Sequence, residues 1–104
     1  MYIRMAALRV KPEHHDRWKE ILEDDALHSL KDEPGVTNFY VLQDENDENI
    51  IHVVEMYKQR SDFFEGHKNA PHYLRMQAGV KDFPVEIVAR WECSNVYPSD
   101  AEWR

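Results

Sequence analysis

Residues 36–43, Val-Thr-Asn-Phe-Tyr-Val-Leu-Gln, and residues 50–58, Ile-Ile-His-Val-Val-Glu-Met-Tyr-Lys, are both rich in β-branched and aromatic side chains. Between them, Asp44, Glu45, Asn46, Asp47, Glu48 and Asn49 form an unbroken polar run of turn-forming residues. The stretch predicts a β-hairpin, and the flanking segments take their places around it. Upstream, residues 2–10 alternate weakly between two partly apolar faces, as a strand does. After Pro12, His15, Trp18, Ile21, Leu22, Ala26 and Leu30 recur at helical spacing up to Glu33-Pro34-Gly35, so an amphipathic helix is expected with those residues inward. Downstream, Ser61 is placed to cap a short helix carrying Phe63, Phe64 and His67, and Pro71 to open another with Tyr73, Leu74, Met76, Gln77 and Val80 on its inner face. Residues 85–93 alternate, which puts Val85, Ile87, Ala89, Trp91 and Cys93 on one face and Glu86, Val88, Arg90 and Glu92 on the other. The order β-α-β-β-α-(α)-β defines a ferredoxin-like α+β domain, an antiparallel four-stranded sheet with its helices on one face, over residues 1–95, followed by a polar tail at 96–104. Strands with apolar residues on both faces leave one face uncovered by helices, and a homodimer packed sheet to sheet is expected.

Composition narrows the function. The chain of 104 residues has room for one core. Its 20 acids against 13 Lys and Arg, a formal charge of −7, argue against nucleic acid, which is bound by clustered cations. Most of the acidity lies in residues 13–33 and 44–49, and the remainder of the chain is slightly basic. The single cysteine, Cys93, precludes an intrachain disulfide or a paired-thiol site and suits a reducing cytoplasm. No stretch approaches the ~18 apolar residues of a membrane span, and no export segment is expected.

Glu33-Pro34-Gly35 before a strand ending Tyr40-Val41-Leu42-Gln43-Asp44, then Glu55-Met56-Tyr57, His67 and Pro71-His72-Tyr73, in this order and spacing, resemble the antibiotic biosynthesis monooxygenase family of dimeric α+β barrels. The resemblance spans residues 1 to about 93. It implies one of several chemistries: oxidation of quinols or polyketide phenols by O2 without flavin, haem or metal, haem breakdown, or isomerisation of a phosphorylated autoinducer. The haem-degrading branch carries an Asn on its first strand, and Ile-Arg-Met-Ala-Ala-Leu at residues 3–8 has none. The expected activity is therefore cofactor-independent oxidation of a small aromatic or quinol. The alternatives are an isomerase of a small carbonyl compound, phosphorylated or not, and a non-catalytic small-molecule-binding dimer.

For either enzyme His67, which the resemblance places at the pocket mouth, is the expected base, since an imidazole with an unperturbed pKa of about 6.5 has both forms available near neutrality. Asn38, a donor and acceptor in mid-strand, and Tyr57 are expected to hold the substrate oxygen. Phe64, His72, Tyr73 and Tyr40 are expected to bind the substrate. The resemblance implies no cofactor, and no paired metal site is expected, because five residues between His67 and His72 correspond to about 140° around a helix, and Pro71 interrupts the register. His14 and His15, adjacent at a helix start, offer no metal-binding pattern. Glu55, on an apolar strand face, needs a partner, for which Arg4, Arg9 or Arg90 are the candidates. Lys58, Arg60, Lys68 and Arg75 offer a phosphate anchor, although such charges also serve simply as solvated side chains.

Overall fold

The computed structural model describes residues 1–103, so position 104 of the expected tail lies outside the described residues. Strands β1 (Tyr2–Arg9), β2 (Val36–Gln43), β3 (Ile50–Tyr57) and β4 (Glu86–Cys93) form one sheet in the order β2-β3-β1-β4. Every neighbouring pair is antiparallel. Helices α1 (His15–Asp32) and α2 (Pro71–Gly79) cover one face. The chain is thus the ferredoxin-like α+β domain that its element order predicts.

The hairpin closes as its composition requires. Asp44 Oδ1 accepts from the backbone N–H groups of Asn46 and Asp47 (2.8 and 2.9 Å), and its Oδ2 lies 2.7 Å from His52 Nε2. His52 therefore braces the turn through Asp44. At the other end of β2, Gly35 is required by a close approach: a Cβ there would lie 2.3 Å from Asp62 Cγ. Asp62 in turn accepts the Gln59 N–H, and Lys58 N–H bonds the Gly35 carbonyl, which fastens the turn after α1 to the segment after β3. Gly79 has a comparable reason, since a Cβ would meet Ile21 Cδ1 at 2.8 Å where α2 crosses α1.

The core lies between helices and sheet and is built on Trp18, Ile21, Leu22, Phe39, Ile51, Val53, Tyr57, Phe63 and Phe83. Burying each such side chain contributes roughly 1.5–3 kcal/mol. Two details depart from the sequence reading. On α1 the buried face runs Trp18, Ile21, Leu22, Asp25, Ser29, while Leu30 is exposed and Ala26 only partly buried. On β4 a bulge opposite Ala7 and Leu8 breaks the alternation. Ala89, Trp91 and Cys93 pair with Ala7, Met5 and Ile3, whereas Ile87 pairs with Leu8. Both Ile87 and Arg90 consequently line the cavity under the helices.

Between β3 and α2 the chain makes a π-helical turn, Asp62–Gly66, followed by a 3-10 turn, His67–Asn69. Ser61 precedes it without a side-chain capping bond. Beyond β4 the tail folds back on its own protomer: Asp100 meets the N-terminal ammonium at 3.0 Å, and Trp103 Nε1 donates to Asn38 Oδ1 at 3.0 Å. None of the described helices is long and apolar enough to cross a membrane.

Candidate active site

The polar end of the α1 stripe begins the site. Counting from Trp18 and Leu22 in helical steps reaches Asp25 and then Ser29, which are 2% and 0% exposed. Ser29 Oγ donates to the Asp25 carbonyl (2.6 Å) and sits 3.3 Å from His67 Nδ1. His67, 0% exposed, donates from Nδ1 to Glu33 Oε2 at 2.7 Å, and His72 Nε2 donates to the same oxygen at 2.5 Å. The π turn and the 3-10 turn change the chain direction between the two histidines, so the helical angle that separates them in sequence does not apply. Glu33 ties the end of α1 to the start of α2 through both rings.

The other ring nitrogen of His67, Nε2, faces two carboxylates, Asp25 Oδ2 at 3.4 Å and Glu55 Oε1 at 3.6 Å. Burial by itself disfavours an imidazolium here, but Asp25, Glu33 and Glu55 together outweigh it and raise the His67 pKa to about 9. At neutral pH this surrounding favours the imidazolium, whereas the ordinary value would leave both forms available. Glu55 takes its hydrogen bond from Tyr57 Oη (2.7 Å), and none of Arg4, Arg9 and Arg90 forms an ion pair with it. Burial pushes the Glu55 pKa upward, and the Tyr57 hydroxyl upward as well, so Tyr57 remains a neutral donor.

These groups open on a cavity of about 380 Å³. Its walls include Trp18, Leu22, Phe39, Val53, Phe63, Tyr73 and Met76, with Arg4 and Arg90 toward the outside. Trp18 Nε1, Asp25 Oδ1 and His67 Nε2 belong to lining residues and are buried without a hydrogen-bond partner among the described residues. Unsatisfied buried polar atoms at a cavity wall are costly unless a bound molecule engages them.

Of the expected site residues, His67, Tyr57 and Tyr73 come together, with ring centroids 5.9 and 5.1 Å from His67. Phe64 stands at the mouth beside Phe63, and His72 is buried against Glu33, outside the lining of the cavity. Asn38 and Tyr40 do not belong to the cluster. The β2 bulge between Val36 and Asn38 sends Phe39 under the helices and Asn38 and Tyr40 to the opposite face, where Asn38 Nδ2 donates to Tyr40 Oη (2.8 Å). Asp25, Ser29, Arg4 and Arg90 were missed. For Asp25 and Ser29 the signal was present, two polar residues in phase with Trp18 and Leu22; for Arg90 none was, because the bulge is invisible to alternation.

Asp25, His67 and His72 each offer a ligand atom within 4.8 Å of the others, the one such grouping among the described residues. The Glu33 carboxylate already occupies one nitrogen of each histidine.

The family model for antibiotic biosynthesis monooxygenases matches residues 1–79, and the chain belongs to that family. Among solved structures, one from Nitrosomonas europaea carrying a provisional antibiotic biosynthesis monooxygenase name superposes with a TM-score of 0.81 at 28% identity, covering 93% of this chain and all of that one. Similarly named proteins from Bacteroides thetaiotaomicron (TM-score 0.78, 19% identity, 93% and 90% covered) and Chloroflexus aurantiacus (0.78, 20%, 91% and 92%) share the fold. No curated protein matches the chain.

Proposed function

We propose that the protein is a monooxygenase that oxidises a small aromatic or quinol substrate with O2, using its own residues and no resident prosthetic group. The observation that carries this reading is the His67 imidazolium held between Asp25 and Glu55 at the wall of an apolar, aromatic-lined cavity. A phenolic ring fits such a cavity, and its hydroxyl can meet both an acceptor and a cation. The roles follow from the charges. A carboxylate, Glu55 being the one whose affinity for protons is raised by burial, takes the phenolic proton, and the His67 cation stabilises the phenolate. The phenolate passes one electron to O2, and the substrate radical and superoxide combine to form a C–O bond. The peroxide accepts a proton from His67. Asp25 takes the remaining C–H proton as the O–O bond breaks and a carbonyl forms on the substrate; the expelled hydroxide takes the proton that Glu55 received from the phenol and leaves as water, and the Asp25 proton returns to His67. One oxygen atom enters the product and the other leaves as water. Exclusion of bulk water by Phe39, Phe63 and Met76 protects the intermediates.

The open sheet face, with Tyr40, Leu42 and Trp91 each more than two-fifths exposed, supports a homodimer as its cover. The same two carboxylates and imidazolium also suit proton transfer between neighbouring carbons of a carbonyl compound, which needs no O2. Oxygen uptake separates the two. Dialysed, chelator-treated protein is presented with hydroquinones, naphthoquinols and anthrones beside boiled enzyme and a His67→Ala variant. Uptake that survives chelation and fails in the variant supports the oxygenase; turnover of a carbonyl compound under anaerobic conditions, with no uptake from any phenol, replaces it with the isomerase.

A further inference from the structure

At its outer end the 380 Å³ cavity opens into a broader depression lined by Arg4, Phe63, Phe64, Lys68, Tyr73, Arg90, Trp91 and Glu92. Arg4, Phe63, Tyr73 and Arg90 line both, so the two form one continuous path from solvent to His67. The charges along that path are sorted by depth. Inside stand Asp25 and Glu55. At the rim stand Arg4, Lys68 and Arg90, with Arg60 nearby, against one acid, Glu92. That acid is already engaged three times, by Tyr2 Oη (2.6 Å), Arg4 (3.2 Å) and Arg60 (3.8 Å). Arg90 is exposed and, like Lys68, has no ion-pair partner among the described residues, although the chain as a whole carries −7.

Arg4 is held in place: its guanidinium lies 3.9 Å over the Phe63 ring and donates to Tyr2 Oη at 2.9 Å. A fixed guanidinium with a second arginine and a lysine around one opening is the arrangement that recognises an oxyanion. The buried carboxylates repel the same oxyanion from the inner end, so a ligand with a ring and an acidic group has one favourable orientation.

We propose that Arg4, Lys68 and Arg90 form an oxyanion-binding rim, and that the substrate is an aromatic compound bearing a carboxylate or phosphate, its ring inside and its acidic group at the mouth. Placement of a ring in the cavity rests on the reading under Proposed function; the charge preference of the rim is measured without any turnover.

Calorimetric titration of the intact protein with naphthalene-2-carboxylate, 2-naphthyl phosphate and neutral 2-naphthol tests it. The anions should bind at least ~10-fold tighter than naphthol at low salt, the gain expected of one or two charge-assisted contacts, and should lose most of that gain as salt is raised. Whichever anion binds tighter identifies the acidic group. In the Lys68→Gln/Arg90→Gln double variant the anion preference over naphthol should fall below ~3-fold, because the screened charge contacts are removed. Equal affinity for anions and naphthol, a preference that survives in the double variant, or binding of none of the three overturns the proposal. Absence of oxygen uptake with a measured anion preference would instead remove the oxygenase reading and leave the rim standing.

Discussion

The two faces of the sheet differ in what their buried polar groups do. Under the helices, polar residues stand in an otherwise apolar layer and are joined into one network by Glu33, His67, His72, Asp25, Glu55 and Tyr57. On the other face the polar contacts are separate and peripheral: Asn38 with Tyr40 and Trp103, and Arg9 with Glu86 and Asp47. The difference teaches that polarity alone does not mark a site. What marks it here is charge held away from water beside a cavity, since there ionic contacts are little screened and the His67 imidazolium is strongly favoured.

The largest expected effect contrasts one residue from each face. His67→Ala should lower oxygen uptake by at least ~100-fold, the usual contribution of a positioned acid–base group, while Asn38→Ala should change it less than ~2-fold. A comparable loss in both variants, with dimer and fold intact by sedimentation and circular dichroism, would dissolve the contrast between the faces.

Next comes the loss of stability above neutral pH, to which the helix-covered face contributes through His67. The His67 pKa in the folded protein is raised to about 9, above its unfolded value, so its stabilising contribution is complete below about pH 6.5 and disappears as the pH rises through about 9. The linkage amounts to about 3 kcal/mol. Glu55, whose folded pKa is also raised, acts in the same direction at lower pH, because its buried carboxylate costs stability once ionised. Chemical denaturation from pH 6 to 10 should show falling stability, and the limb between pH 6.5 and 9 should flatten in His67→Gln. A limb unchanged by that substitution would assign the loss to other groups.

The open face is broken by charge rather than by pH. Val54→Lys places a cation in the middle of that face, opposite Met5 and Tyr40, and should convert the expected dimer to monomer in sedimentation velocity at micromolar concentration. If wild type is itself monomeric, the face has no such partner. A smaller change is expected from Gly35→Ala, which forces the Asp62 side chain aside and should cost about 1–3 kcal/mol by overpacking. The smallest is Trp103→Ala, whose loss of one half-buried ring and its bond to Asn38 should cost about 1 kcal/mol or less.

Much of this was legible before any coordinates. The hairpin of residues 36–58, the helix after Pro12 and the glycine–proline joints specify element order, because period-two and helical patterns are local properties of the chain. Motifs that resemble the family's in order and spacing pointed to His67, Tyr57 and Tyr73, which the fold brings together. Asp25 was written in the helical phase of Trp18 and Leu22 and was obscured by Ala26 and Leu30, of which Ala26 packs at the edge of the core and Leu30 is exposed. Asn38 lies away from the His67 cluster because a one-residue bulge in β2 decides which face it takes, and a bulge leaves no mark on composition.

The sequence by itself determined the α+β order, the acidic surface segments, the single core and the motifs shared with the family, since each depends on neighbours along the chain. Only the tertiary structure decided that Glu33 receives both His67 and His72, that His67 is a cation between Asp25 and Glu55, and that Arg90 stands with Arg4 at the mouth of one cavity. Those outcomes depend on two bulges, a π turn and the burial of charge, and each of these is settled by packing between segments far apart in sequence.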